Sequence, residues 1–178
     1  MNSFSDAFRV FQSLDAEAYA APLFVQSFGG KFPKVRTMKV HDTDVSPDDW
    51  RQYVALYRWP DGSEECVGFV NYIRFRDVYL GGGMCVKPDF YRRLPRSHFS
   101  DCRSFGGVAQ IILEEAARGL ADGVAIFGYC GDKKAYAVDM RAGFLPTKYE
   151  YLIVKPNANA TASQIASAIE YVNAVGPF

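Results

Sequence analysis

The chain has 178 residues, 49% of them hydrophobic and 15% aromatic, enough for one domain with a sizeable core. Lysine plus arginine and aspartate plus glutamate both total 20, so the formal net charge is zero, which argues against the basic face that nucleic acid requires and against attraction to anionic membranes. The N-terminal stretch MNSFSDAFRV carries no export signal and no apolar run approaches the roughly 18 residues of a membrane span, so a cytoplasmic protein is expected.

Phe4, Phe8, Phe11 and Leu14 recur at helical spacing and predict a first helix. A second helix is expected from Asp15 to Phe28, with Pro22 as a kink or break and Gly29–Gly30 as its end. Lys34–Val40 reads as a short strand, and Ser46–Pro47–Asp48–Asp49 as a single helical turn. RQYVALYRW and ECVGFVNYIRF, rich in aromatic and β-branched residues and separated by Asp61–Gly62, predict a hairpin. Val78–Val86 follows as a third strand. In Gly107–Ala121, residues Ala109, Ile112, Leu113, Ala116 and Leu120 share one helical face, and Asp122–Gly123 supply the stop. The apolar run Val124–Cys130 fits a buried strand lying parallel to the third strand after a helical crossover. Asp132 starts a short helix that ends at Gly143. Tyr149–Val154 is one more strand, and Thr161–Gln164 is a capping box for a last helix carrying Ile165, Ile169 and Val172 on one side. The expectation is a mixed α/β fold, a largely antiparallel sheet with one parallel β-α-β crossover. It is read as a single domain over 1–178: a helical N-terminal part at 1–45, a core at 51–155 and a C-terminal helix at 161–175.

Cys66, Cys85, Cys102 and Cys130 form no CxxC pair and have no histidine at ligand spacing, so reduced thiols and no metal are expected. His41 and His98 stand among polar residues and read as surface groups. The stretch from Tyr79 to Arg93, YLGGGMCVKPDFYRR, is a strand interrupted by glycine, stopped by proline and followed by a basic turn. Downstream, Gly106–Gly107 open a helix whose first N–H groups lack helical partners and carry a positive dipole end, the local chemistry of an anion site.

This order of elements resembles the GNAT superfamily of acyl-CoA-dependent N-acyltransferases over about Arg51 to Lys155. ALYRWPDGSEECVGFVNY is similar to that family's second and third strands. VKPDFYRR with the later SFGGVA looks like its fourth strand and pyrophosphate loop. DKKAYAVDMRAGF looks like its short helix ending in Gly–Phe, here Gly143–Phe144. The resemblance implies a fourth strand that splays from the fifth to admit pantetheine, with Gly81–Gly82–Gly83 permitting the bend. It implies backbone contacts to pantetheine and the oxyanion from Cys85 and Val86. It places the pyrophosphate on Gly106, Gly107, Val108 and Ala109, with Arg92, Arg93, Arg96 and Arg103 adding charge. The loop departs from the family pattern. Leu94 stands where the turn's glycine falls, twelve residues (LPRSHFSDCRSF) precede Gly106, and Ser104 replaces the first Arg or Gln. The family's tyrosine acid, four residues before the Gly–Phe stop, is Asp139 here; Tyr136, one turn earlier, is the other candidate acid. The third strand holds no acid, and Asp77, Asp89 and Glu150 near strand ends read as surface charges. Tyr129 and Cys130 end the fifth strand near the expected amine.

The first reading is a cytoplasmic enzyme moving an acyl group, acetyl first, from coenzyme A to a small-molecule or peptide amine by direct attack. Acetyl-CoA or another acyl-CoA is then the co-substrate. The alternative is a non-catalytic module of the same fold that binds coenzyme A, another small ligand or a protein partner. Transfer of a longer acyl chain, as in the acyl-homoserine-lactone synthases, ranks below both. A homodimer through exposed strands or the C-terminal helix is left open.

Overall fold

The computed structural model describes residues 3–34, 39–40, 43–44 and 46–178. One seven-stranded sheet runs in the order β1-β4-β5-β6-β7-β9-β8, and a separate pair joins β2 and β3. The strands are β1 (Phe8–Gln12), β2 (Lys39–Val40), β3 (Thr43–Asp44), β4 (Trp50–Arg58), β5 (Glu64–Phe75), β6 (Val78–Val86), β7 (Ala125–Tyr129), β8 (Leu145–Pro146) and β9 (Leu152–Pro156). The helices are α1 (Phe4–Ala7), α2 (Glu17–Phe28), α3 (Phe90–Arg93), α4 (Arg96–Ser104), α5 (Val108–Gly119), α6 (Lys133–Arg141) and α7 (Ala162–Val175). The expected mixed sheet is present, with β6 and β7 parallel on either side of α5 and β7 antiparallel to β9.

Contacts along the chain group the residues into two compact units. The first comprises Met1–Phe32, Gln52–Val70 and Gly83–Ala116. In its core, Ala20 and Leu23 of α2, with Ala16 just ahead of it, meet Val54 and Leu56 of β4, Phe69 of β5 and Cys85 of β6. The α2 helix closes on Gly29, as its sequence predicts, and runs through Pro22 without a break. The second unit comprises Pro33–Arg51, Asn71–Gly82 and Ala117–Phe178. Its core joins Val78 and Leu80 of β6, Ala125 and Phe127 of β7, Leu152 and Val154 of β9, and Ala168 and Val172 of α7.

Three sequence expectations change. The helix expected across Phe4–Leu14 is a single turn, after which Phe8–Gln12 pairs antiparallel with Tyr53–Tyr57. The edge of β4 needs backbone partners, and that demand outweighs a phenylalanine spacing that fits either state. His98 is not a surface residue: it is 7% exposed, and its Nδ1 lies 2.6 Å from the Tyr57 hydroxyl. Of the strand expected at Lys34–Val40, Lys39–Val40 is strand, paired with Thr43–Asp44; residues 35–38, like His41, lie outside the described residues. The last strand begins at Leu152, not at Tyr149.

The capping box of α7 is formed as expected. The Gln164 N–H donates to Thr161 Oγ1 at 3.2 Å, and the Thr161 N–H donates to Gln164 Oε1 at 2.8 Å. Thr161→Ala is expected to cost about 1 kcal/mol of stability. The measurement is a lowered denaturant midpoint at unchanged slope.

Candidate functional site

The glycine run of β6 is explained by what crowds it. A Cβ on Gly81 would lie 3.1 Å from the Phe127 carbonyl oxygen of β7. One on Gly82 would lie 2.6 Å from Asn71 Nδ2, and one on Gly83 would lie 3.1 Å from the Phe28 ring. Side chains are absent so that neighbours can approach the backbone. The parallel ladder pairs Tyr79, Leu80 and Gly81 with Ile126, Phe127 and Gly128. Beyond that last pair, β6 runs on through Val86. Cys85 turns its side chain into the core of the first unit. Burial pushes its thiol up to about 11, so its side chain is an inert core group.

After Pro88 the expected loop is two helices, α3 and α4. Phe90, Leu94, His98 and Cys102 are its buried residues, at four-residue spacing, one buried stripe along α3 and α4. Arg93 is committed within the first unit. Its guanidinium lies 4.2 Å from the centre of the Trp59 ring and bonds Glu65 at 2.9 Å. Lys87 reaches the same carboxylate at 2.8 Å, as does Trp59 Nε1. Burial works against the charge on Glu65, but bonds from Lys87, Arg93 and Trp59 outweigh it and hold the carboxyl below its ordinary range. Arg92, Arg96 and Arg103 are exposed on α3 and α4.

The start of α5 is more occupied than its sequence implies. The Gly106 N–H donates to the Arg103 carbonyl at 3.0 Å, and the Gly107 N–H donates to the Cys102 carbonyl at 2.9 Å. Both glycines therefore close α4, with φ of +84° and +91°. The Val108 N–H donates to the Tyr91 hydroxyl at 3.0 Å. Three of the four amide donors expected for a phosphate thus have protein acceptors; Ala109 follows in the first turn of α5. Tyr91 escaped sequence reading because it lies 17 residues from Val108, beyond any local spacing signal.

In the second unit, Asp132 caps α6 by accepting from the Lys134 and Ala135 N–H groups at 2.9 and 2.8 Å. The helix closes as the Phe144 N–H donates to the Asp139 carbonyl at 3.0 Å. The two candidate acids differ sharply: Tyr136 is 36% exposed and Asp139 is 8% exposed. Burial raises the Asp139 carboxyl above its ordinary range, and a bond with the Cys130 thiol offsets this in part. Burial first, and then Asp139, push that thiol up to about 11. The Cys130 Sγ lies 3.5 Å from the Asp132 carbonyl oxygen, to which its S–H donates. Burial thus favours the protonated form of Asp139 more than water would, the Cys130 thiol works against it, and Cys130, itself held protonated, is no thiolate nucleophile.

Among solved structures the fold has clear counterparts. A protein from Exiguobacterium sp. 255-15 assigned as an acetyltransferase superposes with a TM-score of 0.52, at 14% identity, over 90% of this chain and 97% of that one. YhhK from E. coli, assigned as an N-acetyltransferase and solved bound to coenzyme A, gives a TM-score of 0.51 at 14% identity, over 84% of this chain and 98% of that one. The chain has the fold of the GNAT-type N-acetyltransferases, in a divergent sequence. No family model matches that sequence, and no curated protein does. Among the described residues, no helix is long and apolar enough to cross a membrane.

Proposed function

We propose that the protein transfers an acyl group, acetyl first, from coenzyme A to an amine by direct attack on the thioester. The observation that carries this reading is the buried Asp139 carboxyl, on the helix that ends in Gly143–Phe144, within an N-acetyltransferase fold. The neutral amine attacks the thioester carbonyl carbon, and the carbon–sulfur bond breaks. The thiolate takes the Asp139 proton, and the proton lost by nitrogen passes to water and restores the acid. Backbone groups of Cys85 and Val86 contact pantetheine and the carbonyl oxygen, where fixed N–H dipoles favour the developing negative charge. Ala109, together with Gly106, Gly107 and Val108 once their present acceptors give way, takes the pyrophosphate, and Arg92 and Arg103 supply charge. Arg93 contributes least, because Glu65 already holds it. Tyr136, on the exposed side of α6, is the lesser candidate acid.

Calorimetry with acetyl-CoA, followed by thiol release across a panel of amines, tests the proposal. Saturable binding with amine-dependent thiol release is expected. No heat at millimolar acetyl-CoA would exclude the transfer reaction.

A second reading is supported by the occupied donors of Gly106, Gly107 and Val108. In it the same fold is a binding module for another small ligand or a protein. A pocket of about 340 Å³ in the first unit, lined in part by Asp6, Tyr57, Trp59 and His98, is one place for such a ligand. Absence of coenzyme A binding would favour it.

A further inference from the structure

We infer that Tyr129, Tyr151 and Phe178 form a platform that recognises the acceptor as a cationic organic amine; the inference rests on the acyl-transfer reading for its role, though not for its chemistry.

Backbone strain is the first observation. Among the described residues, two that are not glycine have positive φ, Arg76 at 58° and Tyr151 at 65°. A bulky side chain is disfavoured there by its own Cβ, whereas glycine or asparagine is accommodated. Arg76 has a visible use for its position, with its guanidinium 4.8 Å from the centre of the Tyr171 ring. Tyr151 has no core role, being 49% exposed. Strain kept at an exposed aromatic residue points to use of that side chain.

The second observation is what the ring joins. Its centroid lies 6.3 Å from that of Tyr129, tilted by 51°, and the Tyr129 ring lies 6.1 Å from that of Phe178 at 78°. Such tilted rings leave open faces, and Tyr129 is itself 38% exposed. Aromatic faces carry partial negative charge and attract ammonium groups. Glu150, next to Tyr151 in the chain, interacts with its hydroxyl and raises its ionisation, and its carboxylate adds negative charge at the rim. Lys148, three residues before Tyr151, is drawn away by Glu170 at 2.7 Å. Both terms favour a cation, and an alkylamine is a cation in neutral water; before attack it gives its extra proton to water and reaches the thioester as the neutral amine.

The third observation is location. The Cys130 N–H donates to the Tyr151 carbonyl at 2.8 Å. The platform is therefore fastened to the residue whose thiol bonds Asp139. An amine held there lies at the end of β7, next to Cys130, whose thiol interacts with the proposed acid on α6.

The test uses benzyltrimethylammonium, a permanent cation that cannot be acylated, titrated into the full chain and followed by the NMR shifts of the tyrosine rings. Saturable binding is expected in the wild type. In Tyr151→Asn it should weaken about tenfold, the scale of one lost cation–ring contact. Asparagine tolerates the left-handed backbone, so the melting temperature of this variant should hold or rise. Tyr129→Leu should weaken the probe as well. Absence of probe binding in the wild type, or wild-type affinity in folded Tyr151→Asn, would overturn the inference. Coenzyme A is titrated separately into the same samples. Failure of that ligand alone removes the acyl-transfer reading while the cation platform stands.

Discussion

Asp139→Asn is expected to lower kcat for amine acylation by about a hundredfold, the lower end of what a positioned acid contributes, while raising thermal stability at neutral pH. The two effects come from one cause. A buried carboxyl must stay protonated or bear the cost of an unsolvated charge, and burial has already raised its ionisation above the ordinary carboxylate range. Asparagine keeps the shape and never ionises. A residue kept only for stability would not give a more stable protein when neutralised, so opposite movements of activity and melting temperature would identify a functional acid. Equal or lower stability together with unchanged kcat would remove Asp139 from the mechanism and leave Tyr136 as the remaining acid on α6.

The sign of the pH dependence follows from the same raised ionisation. The folded state holds the Asp139 proton more tightly than the unfolded chain, so it binds more protons between the unfolded value and the raised folded one. Across that window stability falls as pH rises. The contribution is fully present below the ordinary carboxylate value and lost above the folded one. In Asp139→Asn this slope should disappear, measured as the difference between wild-type and variant melting temperatures from acid to neutral pH. The thiols do not interfere, since Cys130 is pushed up to about 11 and stays protonated throughout.

The fold was largely legible because its strongest signals are local. The α5 stripe of Ile112, Leu113 and Ala116 is buried as its spacing implies. The Asp132 cap and the Gly143–Phe144 stop bound α6 where the sequence places them. What escaped depends on partners distant in sequence. Phe8 and Phe11 fit a helical period, and only pairing with Tyr57 and Val54 makes them a strand. His98 reads as polar until Tyr57, 41 residues away, provides its hydrogen bond. The run LPRSHFSDCRSF hid a helix because its buried stripe is a leucine, a histidine and a cysteine, of which one is plainly apolar. The strain at Tyr151 had no signal at all, since tyrosine at a left-handed position contradicts the propensities from which turns are read. The candidate site was legible as a set of residues but not as a state. Glycine followed by a helix start announces free donors, and nothing local announces that Tyr91 and the end of α4 have taken them.

That occupancy makes the start of α5 the place of the second large effect. Gly107 has φ of +91°, and a Cβ there would lie 3.0 Å from the Tyr91 hydroxyl oxygen. Gly107→Val combines a β-branched residue in a conformation it avoids with a clash against that oxygen, and should cost about 1–3 kcal/mol of stability. It should also abolish coenzyme A binding, read by calorimetry at a temperature where the variant is still folded. Loss of binding alone would not separate a missing cradle from a disturbed one, and Tyr91→Phe does. Removing the hydroxyl leaves the Val108 N–H without its partner and should cost about 1 kcal/mol. If the pyrophosphate uses that donor, the hydroxyl is its competitor, and the variant should bind coenzyme A about fivefold more tightly, the worth of one net hydrogen bond. A less stable protein that binds its ligand better has no purely structural explanation. Unchanged affinity would mean that the phosphates lie elsewhere, with Arg92, Arg96 and Arg103 as the next residues to replace.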